Sequence, residues 1–307
     1  MFIAVGIPAF NEEIFIERSV ENCIEMGYDY VVYLDDGSTD STYEKLLEFT
    51  EPYDHIKVIQ NKTNSVLDTK NMGRWEKVAR ECKKVNPDWI MVRAADECLS
   101  AAAAPAGRDA LRSNLEALYD TRFGLVSFQY IDFWRSKWWY RADGFWGVRS
   151  SVSCWRNNTG WAFDYKKGIH QGAHMPNRFK IDGLQKRNIN ISGSWDIVVL
   201  HYGMSSDELL ERKLDYQLST ANAIGNRALG VPTSMPHPSR WNRFNGYKIA
   251  HEIDIELRPA KQIWFFEQIP KEPKPAIKPL THIIEKYDSR RAFDYENLYK
   301  KHFDKQK

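Results

Sequence analysis

Short apolar runs that stop abruptly at polar or acidic residues recur through the N-terminal third, and helical patterns fill the gaps between them. Phe2 to Ile7 is apolar and partly β-branched. It meets Pro8, which cannot donate to a central ladder, so the pattern predicts a first strand that ends there. Ile14, Ile16, Val20, Ile24 and Met26 follow at near-helical spacing, with Asn11 as the expected cap and Glu12 and Glu13 in the first turn. Tyr30 to Leu34 is the second strand and ends in Asp35-Asp36-Gly37-Ser38-Thr39-Asp40. Ser41-Thr42-Tyr43-Glu44 then has the side chains of a capping box for a helix through Leu46 and Leu47. His55 to Gln60 supplies a third strand, and Asn71 to Lys84 a helix with Met72, Trp75, Val78, Ala79 and Cys82 on one face. Trp89 to Arg93 is the fourth strand, and the chain passes through Ala94 and Ala95 to the acidic pair Asp96-Glu97.

Strands that alternate with helices over such short crossovers predict a parallel, doubly wound α/β sheet, because each crossover is right-handed and returns to the same sheet. Asp35, Asp36 and Asp96 then fall on the carboxyl edge, where open sheets of this kind bind ligands. Several carboxylates at one place repel unless something positive joins them, so the edge is expected to hold a divalent cation or a hydrogen-bond-donating ligand.

The second half is less regular. A small-residue linker (101–107) precedes a helix from Asp109 to Tyr119, and Leu125 to Ile131 and Val148 to Trp155 read as strands around an aromatic stretch from Phe133 to Trp146. Val198 to His201 is another apolar run that ends in a potential ligand. The Ser205-Ser206-Asp207-Glu208 start then opens an amphipathic helix through Leu209, Leu210, Leu214 and Leu218. Beyond Gly230 the chain is Pro-rich, and Lys271 to Pro279 reads as an extended connector. The expected organisation is residues 1–100 and 101–230 as two halves of one domain, followed by a 231–307 C-terminal extension.

Composition narrows the function classes. With 43 basic and 41 acidic residues, the net charge of +2 gives no bulk attraction to nucleic acid or membranes, and nucleic acid is not an expected partner. The tail carries Arg290, Arg291, Lys300, Lys301, Lys305 and Lys307, a solvated face or a contact for an anionic surface. The four cysteines are widely spaced, without a zinc or disulfide pattern, and suit a reducing compartment. No basic leader precedes the first strand and no run approaches the roughly 18 apolar residues of a span, so a cytoplasmic location, with peripheral membrane contact left open, is expected. No Gly-x-Gly-x-x-Gly follows a strand, which disfavours a dinucleotide dehydrogenase. Asp164, His170 and His174 gather in one loop and are candidate bases.

The segments Pro8-Ala9-Phe10-Asn11-Glu12, Asp35 to Asp40, Lys70-Asn71-Met72-Gly73 and Ala94-Ala95-Asp96-Glu97 resemble, in order and spacing, the successive motifs of glycosyltransferase family 2. The resemblance implies a GT-A fold: a Rossmann-like, mostly parallel sheet flanked by helices, with a C-terminal helical or irregular extension. It implies transfer of a sugar from a nucleoside diphosphate, UDP being favoured, to an acceptor hydroxyl, with inversion. The acceptor class, whether saccharide, lipid-linked or another hydroxyl compound, stays open. Pro8 to Glu12 would border the nucleobase and ribose, with Phe10 against the base. Asp36 would accept a hydrogen bond from a uracil N–H while Asp35 holds the same end. Lys70 stands where the family has Arg, and Ala95 joins the donor-binding set.

The usual Asp-x-Asp metal motif is altered, with Ala94 at its first acid and Asp96 at the position that touches the cation. His201, in a His201-Tyr202-Gly203 run followed by Glu211-Arg212-Lys213 and Tyr216, resembles the family's last shared motif. It would complete the site for Mn2+ or Mg2+. His170-Gln171 replaces a usual His-Glu, leaving Asp164 or His170 as the base. Trp138, Trp139 and Trp146 are expected to form an acceptor platform unless they pack under a long loop. A rival reading is a catalytically inactive GT-A domain that binds saccharide or a partner. A sugar-nucleotide pyrophosphorylase is disfavoured, since Pro8 to Glu12 replaces its Gly-rich basic loop.

Overall fold

The computed structural model describes residues 1–62, 73–100, 109–121, 124–143, 150–157, 160–162, 178–180, 191–213, 215, 255–260, 272–282 and 285. Within them the chain runs β1 (Ile3–Ala9), α1 (Ile16–Met26), β2 (Tyr30–Asp35), α2 (Thr42–Thr50), β3 (Ile56–Gln60), α3 (Arg74–Lys83), β4 (Trp89–Val92) and β5 (Glu97–Leu99). It continues through α4 (Asp109–Tyr119), β6 (Leu125–Asp132), β7 (Trp139–Arg141), β8 (Ser150–Arg156), β9 (Gly160–Ala162), β10 (Arg178–Lys180), β11 (Ile191–His201) and β12 (Leu257–Pro259).

The main sheet has eight strands in the order β3-β2-β1-β4-β8-β6-β11-β5. The N-terminal four are parallel, as the alternating pattern requires. The other half is mixed: β8 runs antiparallel to both β4 and β6, β11 is parallel to β6, and β5 is antiparallel to β11. The expected α/β sheet flanked by helices is therefore what the chain forms. Ile3, Val5, Ile7 and Ala9 of β1 join a core with residues of α1 and α4, while Ala4 packs with Val32, Leu34, Val78 and Val92 on the α3 side. The period-2 alternation of a strand thus meets helices on both faces. Gly6 lets α3 approach closely, because a Cβ there would lie 2.7 Å from the Val78 Cβ. Among the described residues no helix is long and apolar enough to cross a membrane.

Several boundaries differ from the sequence reading for local reasons. Pro8 does not end β1, which runs on to Ala9. Pairing with β4 stops at Gly6, so the missing N–H of Pro8 lies beyond that ladder, and only β2 accompanies the strand to its end. Asn11 does not cap α1, whose N-cap is Phe15. It adopts φ 54° and spends its side chain on another loop. Ser41 is the N-cap of α2 but makes no side-chain cap hydrogen bond, so the anticipated capping box is not formed.

Only part of the aromatic stretch is a loop. β7 pairs with β12, and Trp134 is fully buried with the Arg141 guanidinium 4.5 Å above its ring. The described part of the connector, from Glu272 on, meets the segment leading into this strand pair: Ser136 Oγ donates to Glu272 at 3.0 Å and Arg135 to the Lys278 carbonyl at 2.6 Å. All four cysteines are free and buried, and burial raises the thiol pKa of Cys82, Cys98 and Cys154, that of Cys98 to about 11.

Candidate active site

Strand register assembles the centre of the site. His201 pairs with Asp132 across the parallel β11–β6 ladder and with Glu97 across the antiparallel β11–β5 ladder. Asp132, His201 and Glu97 therefore form one row over three strands. The Asp132 carboxylate lies 2.5 Å from His201 Nδ1, and Asp132 is completely buried. This fixes the ring so that Nε2 faces Asp96, whose Oδ2 is 3.2 Å away. Below the row, Phe133 stacks on Tyr202 with centroids 4.8 Å apart, and the Phe133 N–H donates to the His201 carbonyl at 3.0 Å. Asp96 is held from its backbone as well, its carbonyl accepting from the Tyr202 N–H at 2.9 Å.

Asp96, Glu97 and His201 are all buried and place one potential ligand atom each within 4.8 Å of one another. Imidazole with carboxylates suits Mn2+ or Mg2+ well enough, so these residues fit a divalent cation. Glu97 is partly committed, since one of its oxygens accepts from the Ala94 N–H at 2.9 Å. The fully buried Arg93 secures this turn, donating to the Glu97 carbonyl and, at 3.1 Å, to the Ser19 carbonyl. Gly203 completes the cradle, for a Cβ there would overlap Asp96 Oδ2 and Lys213 Nζ and lie 3.1 Å from His201 Nε2.

Lys213 enters from the helix at 207–213, its ammonium 2.5 Å from Asp96 Oδ2 and 2.6 Å from His201 Nε2. Burial opposes the charge on Asp96, but Lys213 and then His201 outweigh it and hold the carboxyl well below its usual range. Burial and Lys213 push the His201 imidazole toward neutrality, while the Asp96 and Asp132 carboxylates overcome them and raise its pKa to about 9. Glu12 belongs to the same electrostatic unit. Burial first, and Asp96 second, raise its carboxyl to about 8 against the pull of Lys213, Arg212 and Arg74. Arg212 reaches it at 3.6 Å.

The β1 and β2 loops are cross-linked into one wall. The Asn11 N–H donates to Ser38 Oγ at 2.9 Å, Asn11 Oδ1 accepts from the Thr39 N–H at 2.8 Å, and the Glu12 N–H donates to Thr42 Oγ1 at 2.8 Å. Asp35 shapes the turn, accepting from the Ser38 N–H at 3.2 Å and from Gln60 at 3.1 Å. Asp36 is fully buried, accepts from Asn61 at 2.7 Å and has Arg74 Nη1 3.9 Å away. Pro8 and Ala9 are buried within β1, Phe10 is half-buried beside them, and Ala95 lies in the apolar core.

Of the residues singled out from sequence, the structure brings Glu12, Asp96 and His201 into one charged cluster, with Asp35 ending β2 and Asp36 directly after it. Lys70, Asp164, His170 and Trp146 lie outside the described residues. Trp138 and Trp139 are half-buried, and the Trp139 indole N–H donates to the Glu272 carbonyl at 3.4 Å. The sequence reading gave no role to Asp132 or Lys213. Asp132 carried the same signal as Asp96, an apolar strand that ends in a carboxylate. Lys213 lay within a noted motif, but its reach back to Asp96 is a matter of helix placement.

Residues 4–73 match the family described as Glycosyl transferase family 2, and the resemblance is thereby borne out. A comparison with curated proteins found no match. Among solved structures, the chain is similar to a mannosyltransferase from Pyrobaculum calidifontis in complex with GDP-Man and Mn2+, at 13% identity and TM-score 0.44, covering 97% of this chain and 84% of that one. It is also similar to glucosyl-3-phosphoglycerate synthase from Mycobacterium tuberculosis. One structure of that synthase, with Mn2+, UDP and phosphoglyceric acid, aligns at 20% identity and TM-score 0.31 over 42% of this chain and 43% of that one. Another, with phosphoglyceric acid, aligns at 17% identity and TM-score 0.41 over 76% of this chain and 82% of that one.

Proposed function

From a chain whose residues 4–73 carry the glycosyltransferase family 2 pattern, we propose an enzyme that transfers a sugar from a nucleoside diphosphate to an acceptor hydroxyl with inversion. The observation that carries this reading is the buried Asp96–His201–Asp132 arrangement at the strand ends beside the β1 and β2 loops. Asp36 and Asp35 are assigned to the base end of the donor, with uracil favoured because its N–H suits a carboxylate acceptor. Phe10 borders the base, and Pro8, Ala9, Asn11, Glu12, Lys70 and Ala95 complete the donor side.

Asp96 and His201 would hold a divalent cation, with Glu97 close enough to join them. When bound, that cation would stabilise the charge developing on the departing diphosphate. Asp132 keeps a proton on His201 Nδ1 and so leaves Nε2 free to act as a ligand. Asp164 or His170 takes the proton of the acceptor hydroxyl, and Trp138, Trp139 and Trp146 face the acceptor. The chemistry requires no membrane span, and a cytoplasmic location suits the reduced, buried cysteines.

A donor panel read by mass spectrometry tests the proposal on the wild-type chain, Asp96→Ala and His201→Ala. The expected result is release of nucleoside diphosphate from one donor class, dependent on Mn2+ or Mg2+ and lost in both variants. Metal-dependent turnover that survives in both variants would sink the assignment. Donor binding without turnover on any acceptor or water would favour a saccharide-binding domain instead.

A further inference from the structure

Lys213 is the charged group at the site that the proposed transfer leaves unexplained. Its ammonium bridges Asp96 Oδ2 and His201 Nε2, at 2.5 and 2.6 Å, and these are the two atoms assigned above to a cation. The two atoms are 3.2 Å apart, and an ion bonded to both at about 2.1 Å would occupy the same wedge. The backbone at Gly203 closes one side, since even a methyl group there would overlap both Asp96 Oδ2 and Lys213 Nζ. The wedge holds one small cation at a time.

We propose that Lys213 is a tethered counter-ion that occupies the cation position in the unloaded protein and is exchanged for the divalent ion when that ion binds. The inference rests on the cation-binding reading of Asp96 and His201. Without a partner the buried Asp96 carboxylate would be left uncompensated, a costly arrangement that the ammonium relieves. Lys213 can both fill the position and leave it. Its side chain is 23% exposed and ends a flexible four-carbon stem on the surface helix at 207–213. With one acid of the metal motif replaced by Ala94, an internal counter-ion makes the site selective. Only an ion that binds Asp96 and His201 better than the ammonium does will displace it.

Mn2+ binding to the full chain, followed by the electron paramagnetic resonance signal of the free ion without nucleotide, tests the exchange. Lys213→Met and Lys213→Gln remove the competing charge and keep much of the stem. Both are expected to bind Mn2+ about tenfold more tightly than wild type, the change that follows when ~1.4 kcal/mol of competition is removed. Both should also melt lower than wild type without Mn2+ and gain more in melting temperature when it is added. Equal or weaker Mn2+ binding in both variants overturns the counter-ion role while leaving the cation site intact. Absence of Mn2+ binding in all three proteins, with and without UDP, overturns the cation reading itself and this inference with it.

Discussion

Gly203→Ala isolates the space in the cradle from its chemistry. The backbone there does not adopt the left-handed conformation that would exclude alanine, so the substitution brings only the new methyl group. That methyl would overlap Asp96 Oδ2 and Lys213 Nζ and come within 3.1 Å of His201 Nε2. Asp96 is anchored at its carbonyl by the Tyr202 N–H, so its carboxylate has little room to retreat and the Lys213 ammonium must move. Separating a buried ion pair costs about 3–5 kcal/mol. Because Lys213 is 23% exposed and water can follow it, a figure of ~2 kcal/mol is more appropriate here. That loss should lower the melting temperature by about 4 °C, the low end of the scaling for large domains. The methyl group also crowds Asp96 Oδ2 and His201 Nε2, the atoms assigned to the ion, by ~1–3 kcal/mol of overpacking, so Gly203→Ala should lack the tighter Mn2+ binding expected when Lys213 alone is removed, each 1.4 kcal/mol being about tenfold. Differential scanning calorimetry and a Mn2+ titration measure the two effects. An unchanged melting temperature, or Mn2+ binding as tight as in the Lys213 variants, would refute the placement of Gly203 against the charged cluster.

Asp132→Asn keeps the shape beside His201 Nδ1 and removes the charge. Mn2+ affinity, measured by calorimetry, should fall about 10- to 100-fold, as expected when the carboxylate behind a ligand histidine is lost, while UDP binding without metal stays at the wild-type level. Gly6→Ala should lower the urea midpoint, because its Cβ would meet Val78 Cβ at 2.7 Å and the α3 backbone at 3.1 Å. The expected destabilisation is ~1–3 kcal/mol without a change in the slope of the transition.

The alternation of apolar runs and helical patterns in the N-terminal third was enough to predict β1 to β4 and the helices between them. Each of these elements carries its own period and meets its neighbours over short connections. Asp35, Asp36 and Asp96 were legible as strand-end acids for the same reason, and α4 begins and ends where its leucine spacing places it. Features that depend on contact between distant segments were not legible. Asn11 reads locally as a helix cap, yet Ser38 and Thr39 claim it once β1 and β2 lie side by side. Pro8 reads as a strand stop, yet the early end of β4 removes the penalty.

The sequence by itself determined the α/β class and the acidic strand ends, because local periodicity carries that information, whereas the pairing of Asp96 with His201 was implied only by the resemblance to glycosyltransferase family 2. Tertiary structure alone decided what surrounds them. The sheet order β6-β11-β5 sets Asp132, His201 and Glu97 in one row, and the helix at 207–213 brings Lys213 back to Asp96. Both depend on the register between segments far apart in the chain, and no local pattern of residues encodes a register.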